Sequence, residues 1–328
     1  MITVQIHTAS CDDFLQCQGI NSYFESLVNN LSCQTHKNFE LVYIDTYYED
    51  NKEKFSKISS PFVVKHVPIH KNHRYWYDLG HTYISAAKNT GILYADGELV
   101  ITFDDGEFFP ENLLATYWNY YKNGCLMHAY HKRMKNIDVN DGIVKTPISG
   151  DIYINDSRNF SGDCQTHTNG TWTYAGTSFA LEDALILNGF NEKLDGYKSL
   201  EDCDFGIRLT MINKKFVIDK KDGFLYILDH PSYIDRENKK KKISEFISIE
   251  NYGMLCCARE LFEFEANKYS ITDKHLEIIK RETIKYRQFD PTSEVDERRN
   301  KLNIWMNVPL FNLRQERQEL RNSIDWKW

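Results

Sequence analysis

Short apolar runs alternate with amphipathic stretches through the first part of the chain, and this alternation is its main structural signal. Four apolar runs predict strands, at residues 3–8, 39–45, 62–67 and 99–103. The run at 39–45 is almost continuously apolar, as expected where both faces of a sheet are covered. The segments 20–31 and 81–94 predict helices between them. Strand and helix in alternation predict an α/β fold with a mostly parallel central sheet and right-handed crossovers.

The polar residues that close these strands predict where a ligand binds. In open α/β sheets the ligand lies beyond the carboxyl ends of the strands. Thr8 closes the first predicted strand, Asp45 closes the second, and the Asp104–Asp105 pair follows the fourth. We therefore expect three separate strand ends to meet at one crevice.

The last third of the chain has a different character. A solvated charge run at 237–242 is followed by two stretches with helical patterns, at 244–266 and 270–286. Ser270 and Asp273 predict a capping box at the start of the second helix. We predict a main domain at residues 1–235 and a helical C-terminal extension at 236–328. The extension could cover a cleft, dock a partner or form homo-oligomer contacts.

Composition narrows the class of protein. The chain has 328 residues, 41% of them hydrophobic, so it can bury a sizeable core. Its formal net charge of −7 disfavours a surface that binds nucleic acid throughout. No basic leader and no apolar run of roughly 20 residues is present, so we expect no transmembrane segment and a cytoplasmic location. The eight cysteines have neither zinc-site nor disulfide-framework spacing, and we interpret them as free thiols.

The segment Asp104-Asp105-Gly106-Glu107 places adjacent carboxylates at a turn that follows a strand. Adjacent carboxylates repel each other unless a cation lies between them. A hard divalent ion, Mn²⁺ or Mg²⁺, that is held by carboxylate oxygens and also holds substrate phosphates is one solution. An acidic turn in solvent is the other, since acidic pairs are common in turns. These residues alone leave both interpretations open.

A second acidic cluster, Glu201-Asp202-Cys203-Asp204, opens a stretch that predicts a buried helix. Carboxylates at a helix N-terminus often act only as caps and as partners of the helix dipole. A carboxylate that points into a sugar pocket could instead take the proton from an attacking hydroxyl. The pattern alone leaves both roles open.

Several short motifs follow one another in a definite order. They are Ala87-Lys88-Asn89-Thr90-Gly91-Ile92, Ala95-Asp96-Gly97-Glu98, Phe103-Asp104-Asp105, Pro110-Glu111-Asn112-Leu113, then 174–180, 187–192, and Glu201–Asp204 with Arg208-Leu209. In order and spacing they resemble family 2 glycosyltransferases, with an acceptor-side block similar to that of β-1,4-galactosyltransferases and chondroitin-polymerase-like enzymes. The resemblance covers roughly residues 3–230. It implies a GT-A fold, Rossmann-like, and an inverting, divalent-metal-dependent transfer of a hexose-type sugar from a nucleoside-diphosphate sugar.

The resemblance also implies a role for each matching position. The nucleotide-sugar-binding residues would be Thr8, Asp45, Lys88, Asn89 and Asp104. The ligands of Mn²⁺ or Mg²⁺ would be Asp105, Glu107 and His230. Asp202 takes the place of the general base, and Glu201 would orient the acceptor. The acceptor-binding candidates are Trp172, Tyr174 and Gly176, with core packing as the alternative role for the two rings.

Departures from the family pattern keep other functions open. Lys88 replaces the usual arginine, which keeps the charge but loses the bidentate fork. The D-x-D element is irregular, so a sugar-nucleotide-binding module without transferase activity is one alternative. Nucleic acid is an alternative acceptor, because Lys239–Lys242 form a basic run. The net negative charge favours a glycan or glycolipid acceptor instead.

Overall fold

The computed structural model describes part of the chain in detail, namely residues 1–8, 19–80, 83–155, 175–196, 200–228, 257, 260–261, 266–286 and 305–323. Along these residues the strands are β1 (Ile2–Thr8), β2 (Phe39–Asp45), β3 (Val63–Val67), β4 (Leu99–Asp104), β5 (Glu107–Phe108), β6 (Leu126–His128), β7 (Tyr130–Met134), β8 (Val139–Asn140), β9 (Ile143–Val144), β10 (Ile152–Asn155), β11 (Thr177–Ala180), β12 (Phe216–Ile218) and β13 (Phe224–Leu228). The helices are α1 (Tyr23–Ser32), α2 (Tyr48–Phe55), α3 (Tyr75–Asp78), α4 (Ile84–Tyr94), α5 (Leu113–Lys122), α6 (Leu181–Ile186), α7 (Glu201–Met211), α8 (Asp273–Tyr286) and α9 (Leu313–Arg321).

A seven-stranded sheet in the order β12-β6-β11-β4-β1-β2-β3 forms the centre of the fold. Its β1 pairs in parallel with both β2 and β4, and β3 continues in parallel beyond β2. β11 runs antiparallel to both of its neighbours, β4 and β6, whereas β12 pairs in parallel with β6. A four-stranded sheet in the order β10-β7-β13-β5 and a ribbon of β8 and β9 accompany it. The expected mostly parallel sheet is therefore confirmed.

The apolar runs account for the buried strands. Every residue of β2 is buried, and all but one residue of β1 and of β4 are buried as well. Helix α4 is buried along nearly all of its length because it packs against β1, β2 and α9. Lys88, in the first half of α4, thereby lies within electrostatic reach of Asp104 at the carboxyl end of β4.

The predicted elements lie close to the observed ones, with corrections at their ends. The strand predicted at 39–45 has those bounds, whereas α1 and α4 each begin three residues later than predicted. In α1 the cause is Ser22, whose hydroxyl accepts a hydrogen bond from the backbone N–H of Glu25. The capping box predicted at Ser270 and Asp273 is wrong. Thr272 precedes α8, and its backbone N–H and hydroxyl pair reciprocally with the ring and the backbone N–H of His275.

Helix α9 packs directly on residues that precede it by more than two hundred positions. Leu313 and Leu320 belong to the same buried apolar cluster as β1, β2 and β4. Arg317 donates to the carbonyl oxygen of Leu93 at 2.6 Å, and both Arg317 and Arg321 pair with Asp96. The domain boundary at residue 235 stays a prediction. Helix α9, in the predicted extension, contributes to the same hydrophobic core as the main domain.

The state of the cysteines differs in part from the one expected from the sequence. Cys125 takes part in a disulfide bond, so the interpretation of all eight cysteines as free thiols is wrong at this position. Cys33, Cys203 and Cys257 are free.

In the described part of the chain, no helix has the length and apolar character that a membrane crossing requires.

Candidate active site

The ends of three central strands meet, as the sequence predicts. In the register of the sheet, Thr8 is the partner of Asp45 across β1 and β2, and His7 is the partner of Asp104 across β1 and β4. The hydroxyl of Thr8 donates a hydrogen bond to Oδ2 of Asp105 at 3.3 Å. One polar group from each strand end therefore lines the same edge of the sheet.

The Asp104–Asp105 turn presents carboxylate oxygens at this edge. Gly106 follows with a φ of 77°, a backbone conformation that glycine adopts without strain. The side chain of Asp104 is half exposed, and its Oδ1 lies 3.5 Å from Nε2 of His7. A turn of this kind offers the hard oxygen donors that Mn²⁺ and Mg²⁺ prefer, so the residues present fit a divalent cation.

Glu107 is placed differently from the other acids of this segment. It lies in β5, is buried, and accepts a hydrogen bond from the backbone N–H of Asp104 at 3.1 Å. Burial raises its pKa well above the ordinary value, and the charge of Asp104 raises it further. The buried side chain therefore stabilises the Asp104–Asp105 turn. Its contacts give Glu107 a structural role, and its role as a metal ligand stays a prediction.

Helices α4 and α7 bring a buried lysine to the second acidic cluster. Nζ of Lys88 lies 3.5 Å from Oε1 of Glu201, with the two side chains 3% and 11% exposed. Burial lowers the pKa of Lys88, but the charges of Glu201, Asp104 and Asp202 outweigh burial and raise it. The lysine is therefore a permanent cation between the strand-end acids and the start of α7.

Asp202 has the electrostatic character of a base that works near neutral pH. Burial, followed by the charge of Glu201, raises its pKa to about 7, although Lys88 acts in the opposite direction. Its Oδ1 accepts a hydrogen bond from the backbone N–H of Cys203 at 2.7 Å. An aspartate with this pKa is ionised in about half of the molecules at pH 7 and has a far greater proton affinity than an exposed one.

His7, beside Asp104, is a further residue of this site that the sequence analysis did not identify. Burial lowers its pKa, and the charges of Asp104, Lys88 and Asp105 also act on it. A histidine inside a strand carries no motif of its own. The signal that could have identified it was its position next to Thr8, at the end of the same strand.

Asp45 lies at the end of β2, and its carboxylate oxygens are hydrogen-bonded to other residues of the protein. Oδ1 accepts from the backbone N–H of Tyr47 at 2.8 Å, and Oδ2 lies 3.0 Å from Nδ2 of Asn51 and 2.9 Å from Nε2 of His66. Its side chain is fully buried. These contacts shape the turn after β2, and donor binding by Asp45 stays a prediction.

The side chain of Asn89 is also hydrogen-bonded within the protein interior. Its amide nitrogen donates to the carbonyl of Phe190 and to Oε1 of Glu192, and its oxygen accepts from the backbone N–H of Phe190. The residue is fully buried. Its contacts hold the turn at 190–192 against α4, so they give Asn89 a structural role and no support to its predicted contact with the donor.

Gly176 is explained by packing in the central sheet. It is buried with a φ of 74°, and a Cβ at this position would lie 2.6 Å from side-chain carbons of Ala129 and Leu225. Its N–H donates to Thr102, and its carbonyl accepts from the backbone of Ala129 and the hydroxyl of Tyr117. These contacts require a glycine and give no support to its prediction as an acceptor-binding residue. Trp172, Tyr174 and His230 lie outside the described residues.

Comparisons with known proteins yield matches among solved structures. No protein-family profile and no curated protein matches the chain. The crystal structure of S. aureus TarS matches with a TM-score of 0.50 and 14% identity, over 96% of this chain and 49% of that one. The structure of TarS residues 1–349 in complex with UDP-GlcNAc matches with a TM-score of 0.50 and 13% identity, over 92% and 79% of the two chains.

This chain therefore spans about half the length of the first of these structures. Identities of 13–14% show a common fold and no more. The matches cover 96% and 92% of this chain. Together with the observed sheet they establish the α/β architecture predicted from the sequence, in which helices flank a mostly parallel central sheet in the GT-A arrangement.

Proposed function

We propose that this protein is a glycosyltransferase that moves a hexose-type sugar from a nucleoside-diphosphate sugar to an acceptor hydroxyl, with inversion. The observation that carries the proposal is the meeting of two groups of charges at one sheet edge. Asp104 lies close enough to Lys88 and His7 to raise the pKa of both, and Asp105 also acts on the pKa of His7. Beside them stands Asp202, a buried carboxylate with a pKa of about 7.

The donor class is supported by the fold as well as by the charges. TarS residues 1–349, a structure with this fold, were solved in complex with UDP-GlcNAc. In an α/β fold of this kind a ligand occupies the crevice beyond the strand ends, where Thr8, Asp104 and Asp105 lie. We place the nucleoside diphosphate of the donor there.

Asp105 and Asp104 are the described residues that would hold Mn²⁺ or Mg²⁺ at this edge, with His230 as a further ligand implied by the family resemblance. A divalent cation bound there would supply positive charge to the diphosphate of the donor. Lys88 supplies a second, fixed positive charge from the protein itself.

Asp202 acts as the general base in the proposed reaction. The acceptor hydroxyl attacks the anomeric carbon from the face opposite the nucleoside diphosphate, and its proton passes to the carboxylate of Asp202. Glu201, held by Lys88, orients the acceptor. The net charge of −7 favours a glycan or glycolipid acceptor over nucleic acid.

The pH dependence of the reaction should report the raised pKa of Asp202. The base must be ionised, so we expect kcat/KM to fall about tenfold for each pH unit below an inflection near 7. Lys88 lowers the pKa of Asp202, so Lys88→Met should move the inflection to higher pH. Steady-state kinetics between about pH 5.5 and 9 measure both curves. A flat profile over this range, as an aspartate with the ordinary pKa of 3.8 would give, would contradict the role of Asp202.

Release of nucleoside diphosphate tests the function itself. The protein is incubated with a panel of nucleoside-diphosphate sugars, with and without glycan acceptors, and the products are identified by mass spectrometry. We expect one donor to be consumed and its sugar to appear on an acceptor. A donor that binds but is never turned over would identify a non-catalytic binding module, and transfer to nucleic acid alone would correct the acceptor class.

A further inference from the structure

A cluster of two histidines and a glutamate joins the C-terminal helix to the main core. His70 precedes a short turn at Lys71–His73, His73 ends this turn, and Glu316 lies on α9. One ring nitrogen from each histidine and one carboxylate oxygen of Glu316 all lie within 4.8 Å of one another. Nε2 of His73 and Oε2 of Glu316 are 3.1 Å apart. The proposed transfer reaction uses none of these three residues.

The ring of His73 is oriented by a second carboxylate on its far side. Nδ1 of His73 lies 2.6 Å from Oε1 of Glu192, and the histidine is fully buried. The same oxygen of Glu192 accepts a hydrogen bond from Asn89, and the backbone carbonyl of Glu192 accepts one from Trp76. A carboxylate that binds one imidazole nitrogen leaves the other directed at a single point, as in carboxylate–histidine–zinc sites. Here that point lies beside Glu316.

His70 is the second histidine of the cluster and contributes one ring nitrogen to it. Its Nδ1 is buried and has no hydrogen-bond partner among the residues that the structure describes. A buried polar atom without a partner costs free energy, which a ligand at that atom would remove. The backbone N–H of His70 donates a hydrogen bond to the hydroxyl of Thr90 on α4, which fixes the position of its main chain.

We infer that His70, His73 and Glu316 form a zinc site that fastens α9 to the core next to the turn at 190–192. Two imidazole nitrogens and one carboxylate oxygen form a ligand set that zinc accepts, with water at the fourth position. Nitrogen donors disfavour Mg²⁺ and Ca²⁺, which take oxygen ligands. With bonds of about 2.1 Å, tetrahedral ligand atoms lie roughly 3.4 Å apart. One pair already lies at 3.1 Å, and the ring nitrogen of His70 lies within 4.8 Å of the other two atoms.

The site is independent of the proposed sugar transfer, and a metal-content measurement on the full chain tests it without any donor. Chelator-treated protein is dialysed against micromolar ZnCl₂, and bound zinc is counted by mass spectrometry. We expect the wild type to hold one more zinc ion per chain than His70→Gln. The affinity of His70→Gln for zinc should be lower than that of the wild type by at least roughly 10–100-fold, the loss that removal of an outer-shell partner causes. His36→Gln, which alters a partly exposed histidine that packs on Trp118, should hold as much zinc as the wild type.

Two further variants distinguish zinc in this cluster from zinc bound elsewhere on the chain. Asp105→Asn should keep the zinc, because Asp105 belongs to the proposed donor-side cation site. Glu316→Gln alters a half-buried side chain on α9 and should lose the zinc even if His70→Gln fails to fold. In the wild type, zinc should also slow amide hydrogen exchange in α9. Wild-type protein without bound zinc would overturn the inference, and so would zinc that persists in both His70→Gln and Glu316→Gln. In either case His73 would serve only as a hydrogen-bonded partner of the two carboxylates.

Discussion

Replacing Asp202 with asparagine should lower the turnover number roughly 10²–10⁴-fold, the range that general bases contribute, while the affinity for the donor is unchanged. The amide keeps the shape of the side chain but cannot accept the proton of the acceptor hydroxyl. Single-turnover kinetics with saturating donor measure the loss directly. Asp50→Asn, an exposed position on α2, serves as the matched control and should have wild-type turnover.

The same substitution should stabilise the protein at alkaline pH, which excludes misfolding as the cause of lost activity. Burial holds the folded-state pKa of Asp202 at about 7, above its ordinary value of 3.8. Between these values the folded state binds more protons than the unfolded state, so the contribution of Asp202 to stability falls as the pH rises. Asp202→Asn should therefore raise the Tm at pH 8, and the gain should vanish below about pH 4. Near-normal turnover in Asp202→Asn would remove Asp202 from the mechanism.

Replacing Arg208 with methionine should lower the free energy of unfolding by about 3–5 kcal/mol, the cost of breaking a buried ion pair. The guanidinium is 1% exposed and contacts Oδ2 of Asp204 through two nitrogens, at 2.9 and 2.7 Å. It also donates to the carbonyl oxygens of Leu187 and Gly189, each at 2.8 Å. The substitution leaves a buried carboxylate and two carbonyl groups without their partner. Urea denaturation measures the change.

An exposed arginine provides the matched control for this experiment. Arg314 on α9 pairs with Glu182 at the surface, and both side chains are more than half exposed. Arg314→Met should cost at most about 1 kcal/mol, as exposed ion pairs do. Asp204→Leu in the Arg208→Met background should recover part of the lost stability, because it removes the unpaired charge. Equal costs at Arg208 and Arg314 would show that the buried pair does not hold the turn at 187–189 to α7.

The sequence predicted the parts of the fold that depend on local pattern. Buried parallel strands produce apolar runs, so β1, β2 and β4 could be located from the sequence alone. Their order placed Thr8, Asp45 and the Asp104–Asp105 pair at one edge, which the register confirms. The antiparallel strand β11 could not be predicted, because its position between β4 and β6 depends on pairing with residues about fifty to eighty positions earlier.

The sequence was least informative about buried polar side chains whose partners lie far along the chain. Asn89 matches a donor-site motif, yet its amide binds residues about one hundred positions later. The sequence predicts Glu107 as a metal ligand beside Asp105 but gives no sign that its carboxylate also accepts a hydrogen bond from the backbone N–H of Asp104. Motifs reveal which residue types occur together, whereas exposure and pKa depend on the packed environment. For the same reason the pKa of Asp202 could not be read from the sequence.

Equilibrium binding of nucleoside-diphosphate sugars is the most direct test of a donor site at the strand ends. Calorimetric titrations with Mn²⁺ present compare the wild type with Asp105→Asn and Asp50→Asn. We expect one donor to bind to the wild type and to Asp50→Asn, and Asp105→Asn to lose most of this affinity. Donor binding that is equally tight in Asp105→Asn, or no binding of any donor to the wild type, would contradict a donor site at this edge.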